Sequence, residues 1–146
     1  MRKLEHDLQQ YNANQTVFQL LDCLLTLNSI PEWIANDPSA PASLSLIAKE
    51  KIVIMKGQKP GFLFDESLLD SDIDQILRLI RLVSNHSKHK TDSPHIPTIE
   101  NAGFPYTFPV KLGQFLRVGN AEIDAEDILD HAANFWRNQI AQHPQA

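Results

Sequence analysis

Two arginines, an amide, a lysine and two histidines fall close together in one stretch of the chain: Arg78, Arg81, Asn85, His86, Lys88 and His89. A guanidinium can hold a phosphate and stabilise charge that develops on it, and an imidazole can move a proton near neutral pH. Arg81 followed by His86 supplies both groups. RNA cleavage without a metal asks for a base at the 2′-hydroxyl, an acid at the leaving 5′-oxygen and a cation at the equatorial oxygens. Arg81 and His86 are therefore the candidate catalytic pair. Arg78, Asn85, Lys88 and His89 are the candidate substrate-binding residues, with Asn85 placed to hydrogen-bond a phosphate.

These side chains act together only if one element presents them. On a helical wheel of about 100° per residue, Arg78, Asn85, Lys88 and His89 lie within about 80° of Arg81. Ile73, Ile76, Leu77, Leu79, Ile80 and Val83 fill the opposite arc, and His86 sits near the boundary. The pattern predicts an amphipathic helix over residues 71–90. Ser71-Asp72-Ile73-Asp74 resembles a capping box with Asp at its fourth position. Charge layout alone fits a plain solvated helix equally well. Acidic residues (Asp70, Asp72, Asp74) stand at its positive end and basic ones at its negative end. Residue type, not charge, carries the functional reading.

The segment Arg81-Leu82-Val83-Ser84-Asn85-His86 resembles the Arg, four to six residues, His motif of HEPN domains. Residues 81–90 are also similar to a signature Arg-Leu-x-x-Asn-x-x-Lys-His, here ending at Lys88-His89, in a branch of bacterial helical proteins. That branch shares a Trp-containing segment like Pro31-Glu32-Trp33-Ile34 after the first helix. It also shares a hairpin leading to a terminal helix with a Phe-Trp pair, here Phe135-Trp136. The resemblance implies a small helical bundle and a metal-independent endoribonuclease or RNA-binding protein of a bacterial defence or stress system. It also implies a homodimer, because HEPN sites are formed by two copies of the motif across an interface. The chain departs from the pattern at Leu82, where HEPN nucleases often have a polar residue, and His89 lies outside the nuclease spacing. A member without catalysis thus stays open.

The rest of the chain must build the scaffold. Leu4, Leu8, Tyr11, Phe18, Leu21 and Leu25 recur at helical spacing and predict a helix over residues 3–29, weakened at Asn12 and Asn14. Pro31 is expected to kink the chain or start a short helix at residues 29–34. Residues 42–56 suit a helix by length, although Ile52-Val53-Ile54 alone would suit a strand; Gly57 is a stop and residues 58–61 a turn. Pro94, Pro97, Pro105 and Pro109 predict an irregular connection over residues 91–109. Tyr106–Lys111 and Gln114–Val118 read as short strands, turned by Gly113 or by Gly119-Asn120. Asp124 caps a last helix of about residues 125–141 that buries Ile128, Leu129, Ala132, Phe135, Trp136 and Ile140. The expected fold is mainly α: a small helical bundle with a short β-hairpin before the C-terminal helix, one domain over residues 1–146.

Composition narrows the function classes. Of 146 residues, 42% are hydrophobic and 21% charged, which fits one globular domain rather than a disordered chain. A net charge of −5 argues against a general nucleic-acid or membrane-surface binder and leaves room for a local basic strip. The single cysteine, Cys23, lies in an apolar run and reads as a small buried hydrophobe. No apolar run reaches a membrane span and the first residues lack a secretory core, so a cytoplasmic protein is expected. His86, His89 and His95 lack a helical carboxylate or cysteine to complete a metal site, so neither metal nor cofactor is expected. Trp33, Phe135 and Trp136 are expected in the core. Glu122, Asp124, Glu126, Asp127 and Asp130 read as a helix N-terminal cluster that can also dock a basic partner. Against the RNase reading stands a non-catalytic interaction module, of the immunity or antitoxin kind, with a cognate partner protein. A third reading is a structural helical domain.

Overall fold

A computed structural model describes residues 1–88, 97–101 and 114–144, without the side chains at 87, 88 and 101. Five helices and a three-stranded antiparallel sheet make it mainly α, with the sheet immediately before the last helix. His89, His95, the predicted strand Tyr106–Lys111 and the predicted turn at Gly113 lie outside the described residues.

The predicted first helix is two helices, α1 (Arg2–Ala13) and α2 (Val17–Asn36). Thr16 ends the continuity by adopting an extended backbone and accepting a 3.2 Å hydrogen bond from the Gln19 amide. A hydroxyl at this position satisfies a donor that helix starts leave orphaned. The break shifts the buried face: Leu20, Cys23, Leu24 and Leu27 are buried, while Phe18 is 80% exposed. The helix also runs straight through Pro31, which is buried and begins no new helix. Asp7 on α1 is buried and takes hydrogen bonds from Lys3 (3.0 Å) and Thr26 (2.6 Å), tying α1 to α2.

Residues 42–55 form α3 (Ala42–Met55), and the strand alternative at residues 52–54 is not adopted. Gly57, at φ +70°, donates to Ile54 O and Gln58 donates to Val53 O. This pair of bonds closes the helix on a left-handed residue, where a side chain would be strained.

The central helix α4 (Ile73–Lys88) contacts α2, α3 and α5. Its cap is Asp72, one residue later than the predicted Ser71; Asp72 Oδ1 accepts from the Asp74 amide at 2.9 Å. Ile76, Leu77, Leu79, Ile80 and Val83 are buried as the wheel requires, Ile73 is partly buried, and Leu82 and Ser84 are buried as well. Lys51 on α3 pairs with Asp74 at 2.8 Å and stands 5.4 Å over the ring of Phe135, joining three helices.

The sheet runs β1 (Thr98–Asn101), β2 (Gln114–Val118) and β3 (Ala121–Asp124) in that order. β1 lies inside the span predicted to be irregular. Its Ile99 opposes Leu116, which in turn opposes Ile123, so one apolar row crosses the sheet. Gly119-Asn120 turns the β2–β3 hairpin; Gly119 has φ +57°, and a Cβ there would collide with Glu66, whose carboxylate accepts from the Asn120 amide. Asp124 caps α5 (Ala125–Gln142) as predicted. Ile128, Leu129, Ala132 and Trp136 are buried. Phe135, half-buried, meets Trp136 edge-on at 5.0 Å, and Ile140 stays partly exposed.

Candidate functional site

Most of α4 is enclosed, so among its described side chains a narrow strip reaches the surface. Asp74, Arg78, Arg81 and Asn85 make up that strip, each partly buried, and His86 is exposed beyond them. The strip is bordered by α3, through Lys51 and Met55, and by α2, through Glu32. The helical period explains the exposure: residues 74, 78, 81 and 85 repeat at three and four, opposite the apolar stripe.

The two arginines of the strip are used differently. Arg78 donates from Nη1 to Met55 O at 2.7 Å, and its guanidinium lies against Gly57 so closely that a Cβ would stand 3.0 Å from Nη2. It thus caps the C-terminus of α3, where a cation meets unsatisfied carbonyls. Burial, together with the charge of Arg81, lowers its pKa below the ordinary guanidinium value. Arg81 is held more loosely. Its Nη1 is 3.9 Å from Glu32 Oε1, its side chain is 24% exposed, and its Nε is buried with no hydrogen-bond partner among the described residues. That guanidinium retains donor capacity for an anion.

His86 occupies a different place. Five residues at about 100° each put it about 140° around the helix from Arg81. It lines an apolar groove of about 270 Å³ with Leu21, Val83, Pro97, Thr98 and Ile99, to which Arg81 does not contribute. The structure therefore brings Arg78, Arg81 and Asn85 onto one strip and sets His86 apart from it within one chain. The Lys88 side chain and His89 lie outside the described residues.

Sequence reading missed the partners that define the strip. Glu32 and the Met55 carbonyl come from other elements, and pairing across helices leaves no signal in local spacing. Trp33, expected in the core, is 50% exposed at the rim of a shallow groove with Lys3, Asp22, Leu25, Thr26 and Ser29. The apolar spacing of α2 does not separate it from the buried Ile30, because both follow a helical repeat. Cys23 is fully buried, and burial pushes its thiol up to about 12, so it is no nucleophile. Tyr11 likewise stays a phenol, pushed up to about 12 by burial and by Glu126 and Asp124; its hydroxyl donates to Gln114 at 2.5 Å. Among the described residues, no group of three or more His, Cys, Asp or Glu side chains is placed to hold a metal ion, and no helix is long and apolar enough to cross a membrane.

Comparison with protein-family models, with curated proteins and with solved structures finds no match to this chain.

Proposed function

We propose that this protein is a HEPN-like RNA-binding protein of a bacterial defence or stress system, with metal-independent endoribonuclease chemistry at Arg81 and His86. The observation that carries the reading is Arg81 itself: a partly buried guanidinium held, among the described residues, by one long ion pair, beside a second arginine. Such a group gains most from a phosphate, which offers it two oxygens in the geometry of its fork. Asn85, on the same strip, donates to the same phosphate. Because His86 lies about 140° around α4 from Arg81, the acid–base group and the cation meet by juxtaposing two copies of the chain.

The reaction is attack of the 2′-oxygen on the adjacent phosphorus. The P–O5′ bond breaks, leaving a 2′,3′-cyclic phosphate and a 5′-hydroxyl. His86 moves the proton, and Arg81 stabilises the charge on the non-bridging oxygens. The test incubates purified protein with mixed single-stranded RNA in EDTA, with His86→Ala and Arg81→Ala alongside. Cyclic-phosphate ends with the parent, lost in both variants, are expected. Cleavage that persists in His86→Ala overturns the assignment.

A second reading, a non-catalytic interaction module, is favoured by the large apolar side chains left in solvent, above all Phe18 at 80% and Leu63 at 82% exposure. Intact RNA with every protein, together with loss of partner capture in Phe18→Ser, would favour it.

A further inference from the structure

Arg81 is held at one end only. Its Nη1 stands 3.9 Å from Glu32 Oε1, while its Nε is buried with no partner among the described residues. On α2, Asn28 precedes Glu32 by four residues and so shares its face, one turn away. Asn28 is buried and its Oδ1 has no partner among the described residues either. A buried donor on α4 and a buried acceptor on α2, the two helices this ion pair joins, thus have no partner among the described residues. Buried polar groups are as a rule all paired. A long salt bridge on Nη1 and a buried Nε without a partner among the described residues describe a guanidinium that is parked, not locked. Arg78, with its 2.7 Å bond to Met55 O, is locked.

We propose that Glu32 is an autoinhibitory clasp on Arg81. In the resting protein its carboxylate takes up the guanidinium and repels an approaching phosphate. On RNA binding Arg81 leaves Glu32 and turns its terminal nitrogens to the phosphate. Glu32 is half exposed, so its carboxylate is solvated once released and the exchange is easy. Glu32 touches no substrate and is a positioning residue. The clasp rests on the reading of Arg81 as a phosphate contact and adds its regulation.

The consequence is a sign: losing Glu32 should tighten RNA binding, whereas losing Arg81 should weaken it. The measurement is fluorescence anisotropy of a labelled single-stranded oligoribonucleotide, in EDTA at low salt, using full-length His86→Ala protein so that the probe stays intact. Adding Glu32→Gln, a near-isosteric change, should tighten binding about two- to fivefold, the worth of a partly exposed ion pair. Adding it to Arg81→Ala should change nothing, because the coupling is between these two side chains. Asp127→Asn removes the same charge from another element, exposed on the first turn of α5, and should shift binding much less. If Arg81→Ala weakens binding and Glu32→Gln leaves it unchanged, the clasp alone is overturned. Equal tightening with and without Arg81 also overturns it, as a bulk charge effect. No binding by any protein overturns the phosphate reading and the clasp together.

Discussion

Arg78 and Arg81 sit three residues apart on one face of one helix, yet only one of them is spare. Arg78 satisfies a backbone carbonyl at the end of α3 and is partly buried; among the described residues Arg81 has one long ion pair. Their mutants should therefore differ in kind. Arg78→Ala removes a charge-assisted bond to a buried carbonyl and should lower stability by about 1.5–3 kcal/mol in denaturant titration. Arg81→Ala should lower it by no more than about 1 kcal/mol, since a partly exposed pair is worth little. Equal losses would mean that both arginines are structural. Trp136 marks the other extreme. It is fully buried against Phe135, and Trp136→Ala should cost about 3–5 kcal/mol; an unchanged denaturant midpoint would contradict its place in the core. The wheel made the accessible strip of α4 legible, because accessibility follows the helical period. It could not show which arginine was already occupied, since that depends on Met55 and Glu32, remote in sequence.

Helix boundaries depend on single residues that outweigh a continuing pattern. Apolar spacing continues from Leu4 to Leu25, and although Asn12 and Asn14 weaken the middle, it does not reveal the break at Thr16. One side-chain cap and an extended backbone decide it. Thr16→Ala should cost about 1 kcal/mol, the usual worth of such a cap. At the end of α3 the signal was a glycine, and it was legible. Gly57→Ala should cost about 1–2 kcal/mol for the left-handed backbone alone, with Arg78 forced aside in addition. Strand β1 was hidden because prolines surround it, while its pairing with β2 is remote in sequence. Between α1 and α5 the link is electrostatic. Arg137 grips both carboxylate oxygens of Glu5 at 2.8 Å and holds its pKa below the ordinary 4.5. A depressed carboxylate stabilises the fold above its unfolded value and loses that contribution as pH falls through its folded value. Below pH 4.5 the parent should therefore lose up to about 1 kcal/mol that Glu5→Gln does not lose, the pair being partly exposed. Parallel acid melts for the two proteins would show that the pair contributes nothing.

At the scale of the molecule, fold class was the most legible property. The mainly α class and a small β element before the last helix follow from apolar period, caps and turn glycines. What one chain does not do is bring its candidate cation and candidate proton-transfer group together. Arg81 lies on a strip beside Glu32, and His86 lines an apolar groove against β1. Under the proposed function each site is composite, built from Arg81 of one copy and His86 of another. Mixing two inactive variants tests this directly. Arg81→Ala and His86→Ala proteins are combined in equal amounts, unfolded and refolded together, and assayed for cyclic-phosphate ends on RNA in EDTA. In a symmetric dimer half of the molecules are mixed, and one of their two sites is intact, so roughly a quarter of parental activity should return. A mixture as inactive as either variant alone, beside an active parent, would contradict the composite site.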